Sequence, residues 1–129
     1  MILDTSFLID VMRGDRGAVE KNAQLEKQRI VTFVTTPTIF ELFSGLSQSM
    51  MKEEEQKKIR EVLKGQTLLE LDIASAREAG MIDGSLQKKG GSIGPIDSMI
   101  AGIARTKNKP VLTRNVKDFK KTGVTVETY

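Results

Sequence analysis

The chain has 129 residues, long enough for one packed core and too short for two ordinary ones, so a single domain spanning residues 1–129 is expected. It has no cysteine and no histidine, which excludes disulfides, thiolate nucleophiles, the usual zinc sites and the commonest general base at neutral pH. Twenty Lys and Arg against 17 Asp and Glu give a net charge of +3, compatible with a nucleic-acid partner but weak support for one.

Any catalysis must rest on carboxylates, Lys, Tyr, hydroxyls or water on a hard, oxygen-bound cation. The longest apolar runs, such as Met99 to Ala104, fall far short of the roughly 20 residues that cross a bilayer. Met1-Ile2-Leu3-Asp4 lacks the basic and apolar segments of a signal peptide. A cytoplasmic location with no membrane partner is the resulting expectation.

Ile2 and Leu3 read as a buried first strand that stops at Asp4. A helix follows, with Thr5 or Ser6 as its cap, Phe7, Leu8, Val11 and Met12 as its apolar positions and Gly14 at its end. A second helix is predicted from about Gly17 to Lys27. The β-branched and aromatic run Ile30 to Val34 predicts strand two. Pro37 then opens a helix bearing Ile39, Phe40, Leu42, Phe43 and Leu46, and Ser49-Met50-Met51 separates it from the charged Lys52 to Lys64 segment, as in a helical hairpin. Leu68, Leu69 and Leu71 suggest strand three, Ala74 to Lys89 a long helix, and Gly90 to Pro95 a flexible loop. Ile96, Met99, Ile100 and Ile103 form the stripe of another helix, Pro110 to Thr113 a fourth strand, and Val124 to Tyr129 a fifth at the edge. Strands alternating with helices imply an α/β fold around a mainly parallel sheet of four to five strands.

Four acidic positions stand out. Asp4 ends strand one, and the carboxyl ends of parallel strands form the ligand crevice of such sheets; helix capping is an equally good account of Asp4 alone. Glu41 aligns with Thr38, Gly45 and Gln48 rather than with the apolar stripe, a small polar face on which a solvated Glu is also natural. Asp97 lies in the first turn after Pro95, where the helix dipole favours an acid, but the small Ala101 and Ala104 follow it on the same face and leave room for an approaching group. Asn115 and Asp118 follow strand four at another carboxyl end, where they could also be loop and cap residues.

The segments Met1-Ile2-Leu3-Asp4-Thr5-Ser6, Phe40-Glu41-Leu42-Phe43-Ser44-Gly45, Pro95 to Ala101 and Leu112 to Phe119, in that order and across nearly the whole chain, resemble the PIN domain, most closely the VapC-type toxins of prokaryotic toxin–antitoxin pairs. The resemblance implies a three-layer α/β/α sandwich and a divalent-metal-dependent endoribonuclease. It makes Asp4, Glu41 and Asp97 metal ligands and catalytic groups. Many members place an Asp where Asn115 stands, so Asp118 is the weaker fourth catalytic candidate and Asn115 a supporting one, with Thr113 and Ser6 as further hydrogen-bonding support.

The chemistry agrees with that assignment. Gathered carboxylates repel one another unless a cation neutralises them, and Mg²⁺ or Mn²⁺ suits an all-oxygen set while keeping waters that can attack phosphorus. Arg13, Arg16, Lys88, Lys89, Arg114 and Lys117 flank the motifs and could draw in RNA phosphates, though most should be solvated surface charges. The Phe residues read as core, so extensive base stacking is not expected.

Two other readings compete. In a phosphoryl-accepting domain of the haloacid-dehalogenase or receiver kind Asp4 would take a phosphate, but Ser6 stands where those phosphatases carry a second Asp. A catalytically silent module would keep the fold and use its surface to bind RNA or a protein, a reading that the intact acid set disfavours. As partners, the resemblance implies RNA, a second copy of the chain and an antitoxin lying along Pro37 to Lys64 with a basic side chain near Asp4, Glu41 and Asp97. The residues add one argument of their own: Phe40, Phe43, Leu46, Met50 and Met51 are more apolar bulk than one sheet face requires, although core packing would account for them as well.

Overall fold

A computed structural model describes residues 1–129. In chain order the elements are β1 (Ile2–Leu3), α1 (Thr5–Met12), α2 (Arg16–Lys27), β2 (Phe33–Thr35), α3 (Thr36–Ser47), α4 (Lys52–Leu63), β3 (Thr67–Leu69), α5 (Ile73–Lys88), α6 (Pro95–Lys107), β4 (Val111–Leu112), α7 (Val116–Lys120) and β5 (Val126–Glu127). The five strands form one sheet in the order β3-β2-β1-β4-β5, and every pairing is parallel.

Side chains on successive strand residues point to opposite faces, and here that alternation separates two cores. Ile2 and Val111 pack with Ile82, Leu86, Ile100, Ile103 and Phe119, from α5, α6 and α7. Leu3, Val34 and Leu112 pack on the other face with Phe7, Leu8, Leu25, Leu42 and Ile59, from α1 to α4. The expected α/β/α sandwich is therefore present. Buried on both faces, β1 and β4 are short and wholly apolar, as strands of a covered parallel sheet should be.

The helices begin where local chemistry lets them. Asp15 accepts from the Ala18 amide at 3.0 Å at the start of α2, and Thr35 accepts weakly from the Thr38 amide at 3.4 Å ahead of Pro37 in α3. Asp72 and Ser75 close a reciprocal capping box on α5, satisfying two amides left free by the first turn. Gly102 sets the separation of α5 and α6: a Cβ there would lie 2.5 Å from the Ser75 carbonyl oxygen and 2.7 Å from Ala79 Cβ. Ala101 and Ala104 are buried in the core cluster that includes Ile2 and Val111, so the space they leave on α6 is filled by packing rather than open to a ligand.

Several expectations need correction. Strand two is Phe33–Thr35, not Ile30–Val34: the ladder with β1 starts at Ile2, opposite Phe33, so the Val31 carbonyl receives only the Met1 ammonium, and Ile30 and Val31 remain exposed. Residues 116–120, which no predicted element covers, form a short helix with Asn115 at its N-cap position. Not all the Phe residues are core. Phe7 and Phe119 are fully buried, but Phe40 is 65% and Phe43 45% exposed, because the inward face of α3 is occupied by Thr38 and Leu42.

Candidate active site

Strand β1 has β2 on one side and β4 on the other, with connections running outward in both directions. It is the switch point of the sheet, where parallel α/β folds open a crevice at the carboxyl ends of the strands. Asp4 occupies that end of β1, Thr113 the equivalent end of β4, and Thr35 the end of β2. The three are almost wholly buried.

Asp4 sits at the N-cap position of α1, yet its side chain caps nothing. Its Oδ2 instead accepts from Ser6 Oγ and from Thr113 Oγ1, both at 2.7 Å. Both hydroxyls are themselves held: the Arg114 amide donates to Ser6 Oγ at 3.1 Å and the Asn115 amide to Thr113 Oγ1 at 2.9 Å. Neither Thr5 nor Ser6 caps the helix as expected. Ser6 serves Asp4, and Thr5 Oγ1 donates to Thr38 Oγ1 at 3.0 Å, within a buried group that includes Thr35. The other oxygen of Asp4, Oδ1, is buried without a partner. An unpaired carboxylate oxygen away from water carries a heavy desolvation cost, and a cation beside it would remove that cost.

Glu41 on α3 and Asp97 in the first turn of α6 complete the crevice. The Glu41 pKa is raised by partial burial, opposed by the Thr5 hydroxyl and reinforced by the Asp4 charge. Asp97 is pushed up from 3.8 to about 7, first by burial and then by the charges of Asp4, Glu41 and Asp118. The four acids thus share one electrostatic neighbourhood. Asp118 stands at its rim, half-buried, with Lys121 Nζ 3.8 Å from its Oδ1. Asn115 precedes α7 and is exposed, and its side chain makes no capping bond.

No three of these carboxylates meet at ligating distance from one point. The donor set still suits a hard cation, because Mg²⁺ and Mn²⁺ bind through few carboxylates and keep several waters through which the remaining acids can be reached.

Three residues near the site went unnoticed in the sequence or were given another part. Asp10, 6% exposed, accepts from Arg114 Nη1 at 2.6 Å and from the Tyr129 hydroxyl at 2.5 Å, while the Tyr129 ring meets Phe7 edge-on. This cluster ties α1, the turn after β4 and the last residues together beside Ser6. Arg114 is thereby an anchored residue and not a free phosphate ligand. The helical spacing of Asp10 gave one hint, since it lies one turn beyond Ser6 on α1.

Comparison with known proteins shows the family. The PIN-domain family model matches residues 1–124. A "tRNA(fMet)-specific endonuclease VapC" of Shigella flexneri is 29% identical over 122 residues, covering 95% of this chain and 91% of that protein. A "Ribonuclease VapC" of Rickettsia bellii is 31% identical over 126 residues, covering 94% and 89%. Among solved structures, a DNA-bound VapBC from Salmonella typhimurium superposes with a TM-score of 0.86 at 26% identity, covering 98% of this chain and 96% of its counterpart. The chain belongs to the PIN-domain family and, within it, to the VapC ribonucleases. It is accordingly an endoribonuclease, a hydrolase of RNA phosphodiester bonds. No helix is long and apolar enough to cross a membrane.

Proposed function

We propose that this protein, acting through one nuclease domain over residues 1–129, is the toxin of a toxin–antitoxin pair, and that Asp4, Glu41 and Asp97 hold Mg²⁺ or Mn²⁺ for RNA cleavage. The observation that carries the metal assignment is the buried, partnerless Oδ1 of Asp4 among three further acids. When bound, the cation supplies charge neutralisation and an acidified water at the scissile phosphate.

The residues divide the remaining work. Ser6 and Thr113 fix the Asp4 carboxylate so that its free oxygen keeps one direction. Glu41 and Asp97, whose pKa values are raised by burial and by neighbouring acids in the metal-free site, would be held as carboxylates by a cation that neutralises the cluster. Asp118 and Asn115 border the site and steer the substrate or the water shell. A relative is named for tRNA(fMet), which makes that tRNA the first substrate to offer.

The surface around the site favours protein partners as well. A groove of about 250 Å³ is floored by Ile9, Met12, Leu42, Leu46 and Ile59, has Arg13, Glu55 and Lys58 in its rim, and includes Glu41. An apolar antitoxin segment lying there would place a basic side chain at the acids, consistent with the VapBC assemblies among structural relatives. Phe40, at 65% exposure, and Met50, at 96%, mark the surface of a homodimer.

Incubating the purified chain with tRNA(fMet) and other small RNAs, with Mg²⁺, Mn²⁺ or a chelator, tests the reading. Cleavage that requires the ion and disappears in Asp4→Asn and Asp97→Asn is the expected result. Undiminished cleavage in chelator would overturn the metal assignment, and an active complex with the co-expressed antitoxin would overturn the inhibitory partner.

A further inference from the structure

Charge is divided unevenly along this chain. Residues 88–129 hold nine Lys and Arg against three acids, whereas residues 1–87 hold eleven against fourteen. Two of the three acids in the last segment are Asp97 and Asp118 of the acid cluster, so once a cation neutralises that cluster only Glu127 offsets the nine.

The fold gathers part of this charge beside the site. Lys88 and Lys89 lie exposed at and just beyond the end of α5, and Lys117, Lys120 and Lys121 are exposed on and just beyond α7. A cleft of about 490 Å³ between α5, α6 and the turn after α7 has Lys89, Arg105 and Lys121 in its walls. Lys121 joins the cleft to the acids: its ammonium is 3.8 Å from Asp118 Oδ1, and Asp118 acts directly on Asp97. On the other side the same ammonium lies against Gly91 of the loop before α6.

Pairing separates four of these lysines from the nearby arginines Arg16, Arg114 and Arg105. Arg16 is bound to Glu20, Arg114 to Asp10 and Arg105 to Glu78, whereas Lys88, Lys89, Lys117 and Lys120 have no carboxylate within 4 Å. The cations of α4 differ again, being interspersed with Glu53, Glu54, Glu55 and Glu61 along one helix.

We propose that the RNA backbone on one side of the scissile phosphate crosses α7 and lies along the cleft between α5 and the turn after α7, its phosphates taken by Lys88, Lys89, Lys117 and Lys120. This rests on the ribonuclease reading and adds the path of the substrate to it. Lysine is a compact hydrated point charge without the planar fork that reads a base edge, so the surface contributes affinity and register but no sequence choice. Aromatic platforms for stacking are absent from it, since Phe119 of α7 is fully buried. A protein interface would instead be expected to present aromatic or apolar anchors, and in this cleft the one exposed large apolar residue is Met81.

The test measures binding of a 30-nucleotide RNA to the full chain carrying Asp97→Asn, in Mg²⁺, over a range of salt. The pairs Lys88→Gln/Lys89→Gln and Lys117→Gln/Lys120→Gln are compared with Lys52→Gln/Lys57→Gln on α4. Each of the first two pairs should weaken binding roughly 5- to 50-fold near 0.1 M salt and lower the slope of log affinity against log salt by about 1, as expected for one or two lost phosphate contacts. The α4 pair should change affinity less than about twofold. In the otherwise wild-type chain, the lysine pairs should reduce cleavage of the long RNA but spare that of a four-nucleotide RNA too short to reach the cleft. Unchanged affinity and slope in both pairs, with wild-type cleavage intact, would remove the track and leave the ribonuclease reading standing. A wild-type chain that neither binds nor cleaves RNA would overturn both. Loss of antitoxin binding with RNA binding intact would reassign the surface to a protein partner.

Discussion

Asp4 and Asp97 share one crevice, but their surroundings differ. The Asp4 side chain is 1% exposed, with one oxygen fixed by two hydroxyls that backbone amides hold in turn. Asp97 projects from a first turn that no side chain caps, remains partly exposed, and is pushed to a pKa of about 7 first by burial and then by the like charges around it. Half the site is thus built by the fold and half is left for a ligand to complete. Preorganised groups act without reorganisation cost at the moment of reaction, while a loosely held acid can change its proton or its ligand.

The largest effect should therefore come from Asp97, and it should have opposite signs for activity and stability. Asp97→Asn removes a ligand charge, and a loss of several kcal/mol of transition-state stabilisation corresponds to roughly a 10²- to 10³-fold fall in kcat/KM. Without metal the folded pKa of about 7 lies above the ordinary 3.8, so the folded chain holds an extra proton between about pH 4 and pH 7. Stability of the metal-free protein then falls as pH rises through that window. Asn is neutral throughout, so the variant should melt higher than wild type at pH 8 and equally at pH 4, as read by thermal melts in chelator. A wild-type Tm that rises from pH 4 to pH 8 relative to the variant would contradict the raised pKa of Asp97.

Metal binding should show the same contrast as a proton count. A cation requires deprotonated ligands, so at pH 6 its entry should expel about one proton, mainly from Asp97, and at pH 8 almost none. Calorimetry in buffers of different ionisation enthalpy reads this number directly. Chelation should abolish activity and leave the fold intact, because both hydrophobic cores are built from apolar side chains alone.

The built half of the site can be loosened without touching an acid. Thr113→Val keeps the volume and deletes one hydroxyl on Asp4, and Ser6→Ala deletes the other. Losses of outer hydrogen bonds to ligating groups typically cost 10- to 100-fold in metal affinity or activity, and each variant should show that reduction in a Mg²⁺ titration. If Thr113→Val lost no metal affinity, the rigid half would not be needed for binding.

The same division explains what could be read in the sequence. Strands β1 and β4, Asp4 at the end of β1 and the order of the helices other than α7 were legible, because period, breakers and short motifs report local chemistry. Strand β2 was started three residues early and ended one residue early, since a β-branched run does not reveal where its neighbour begins. The outward placement of Phe40 and Phe43 depends on which face of α3 the sheet takes, and the backbone-close packing at Gly102 on a second helix; both are decided by tertiary context. Ser6 and Thr113 could be named as supports but not as partners of one oxygen, because they come together across 107 residues of chain. Asp10 and Tyr129, 119 residues apart, left no joint signal.

That last pair supplies the smallest effect and a finer division of the rigid half. Tyr129→Phe keeps the ring that packs on Phe7 and removes only the hydroxyl donated to Asp10, while Arg114 continues to neutralise the carboxylate at 2.6 Å. A hydrogen bond to a charged acceptor is worth about 1.5–3 kcal/mol, and partial access of water to Tyr129 should place the loss near the lower figure. Denaturant unfolding should thus show a destabilisation of roughly 1–2 kcal/mol with an unchanged m-value. Activity below the unfolding transition should stay within about threefold of wild type, because the hydroxyls on Asp4 are held by the amides of Arg114 and Asn115 rather than by Tyr129 itself. Asp10→Asn keeps the shape but leaves Arg114 without its counter-charge, so it frees the turn that carries those amides and should lower metal affinity as well as stability. A Tyr129→Phe variant that lost activity as severely as Thr113→Val would extend the preorganised part of the site from Asp4 to Tyr129; equal metal affinity in Asp10→Asn and wild type would confine it to Ser6 and Thr113.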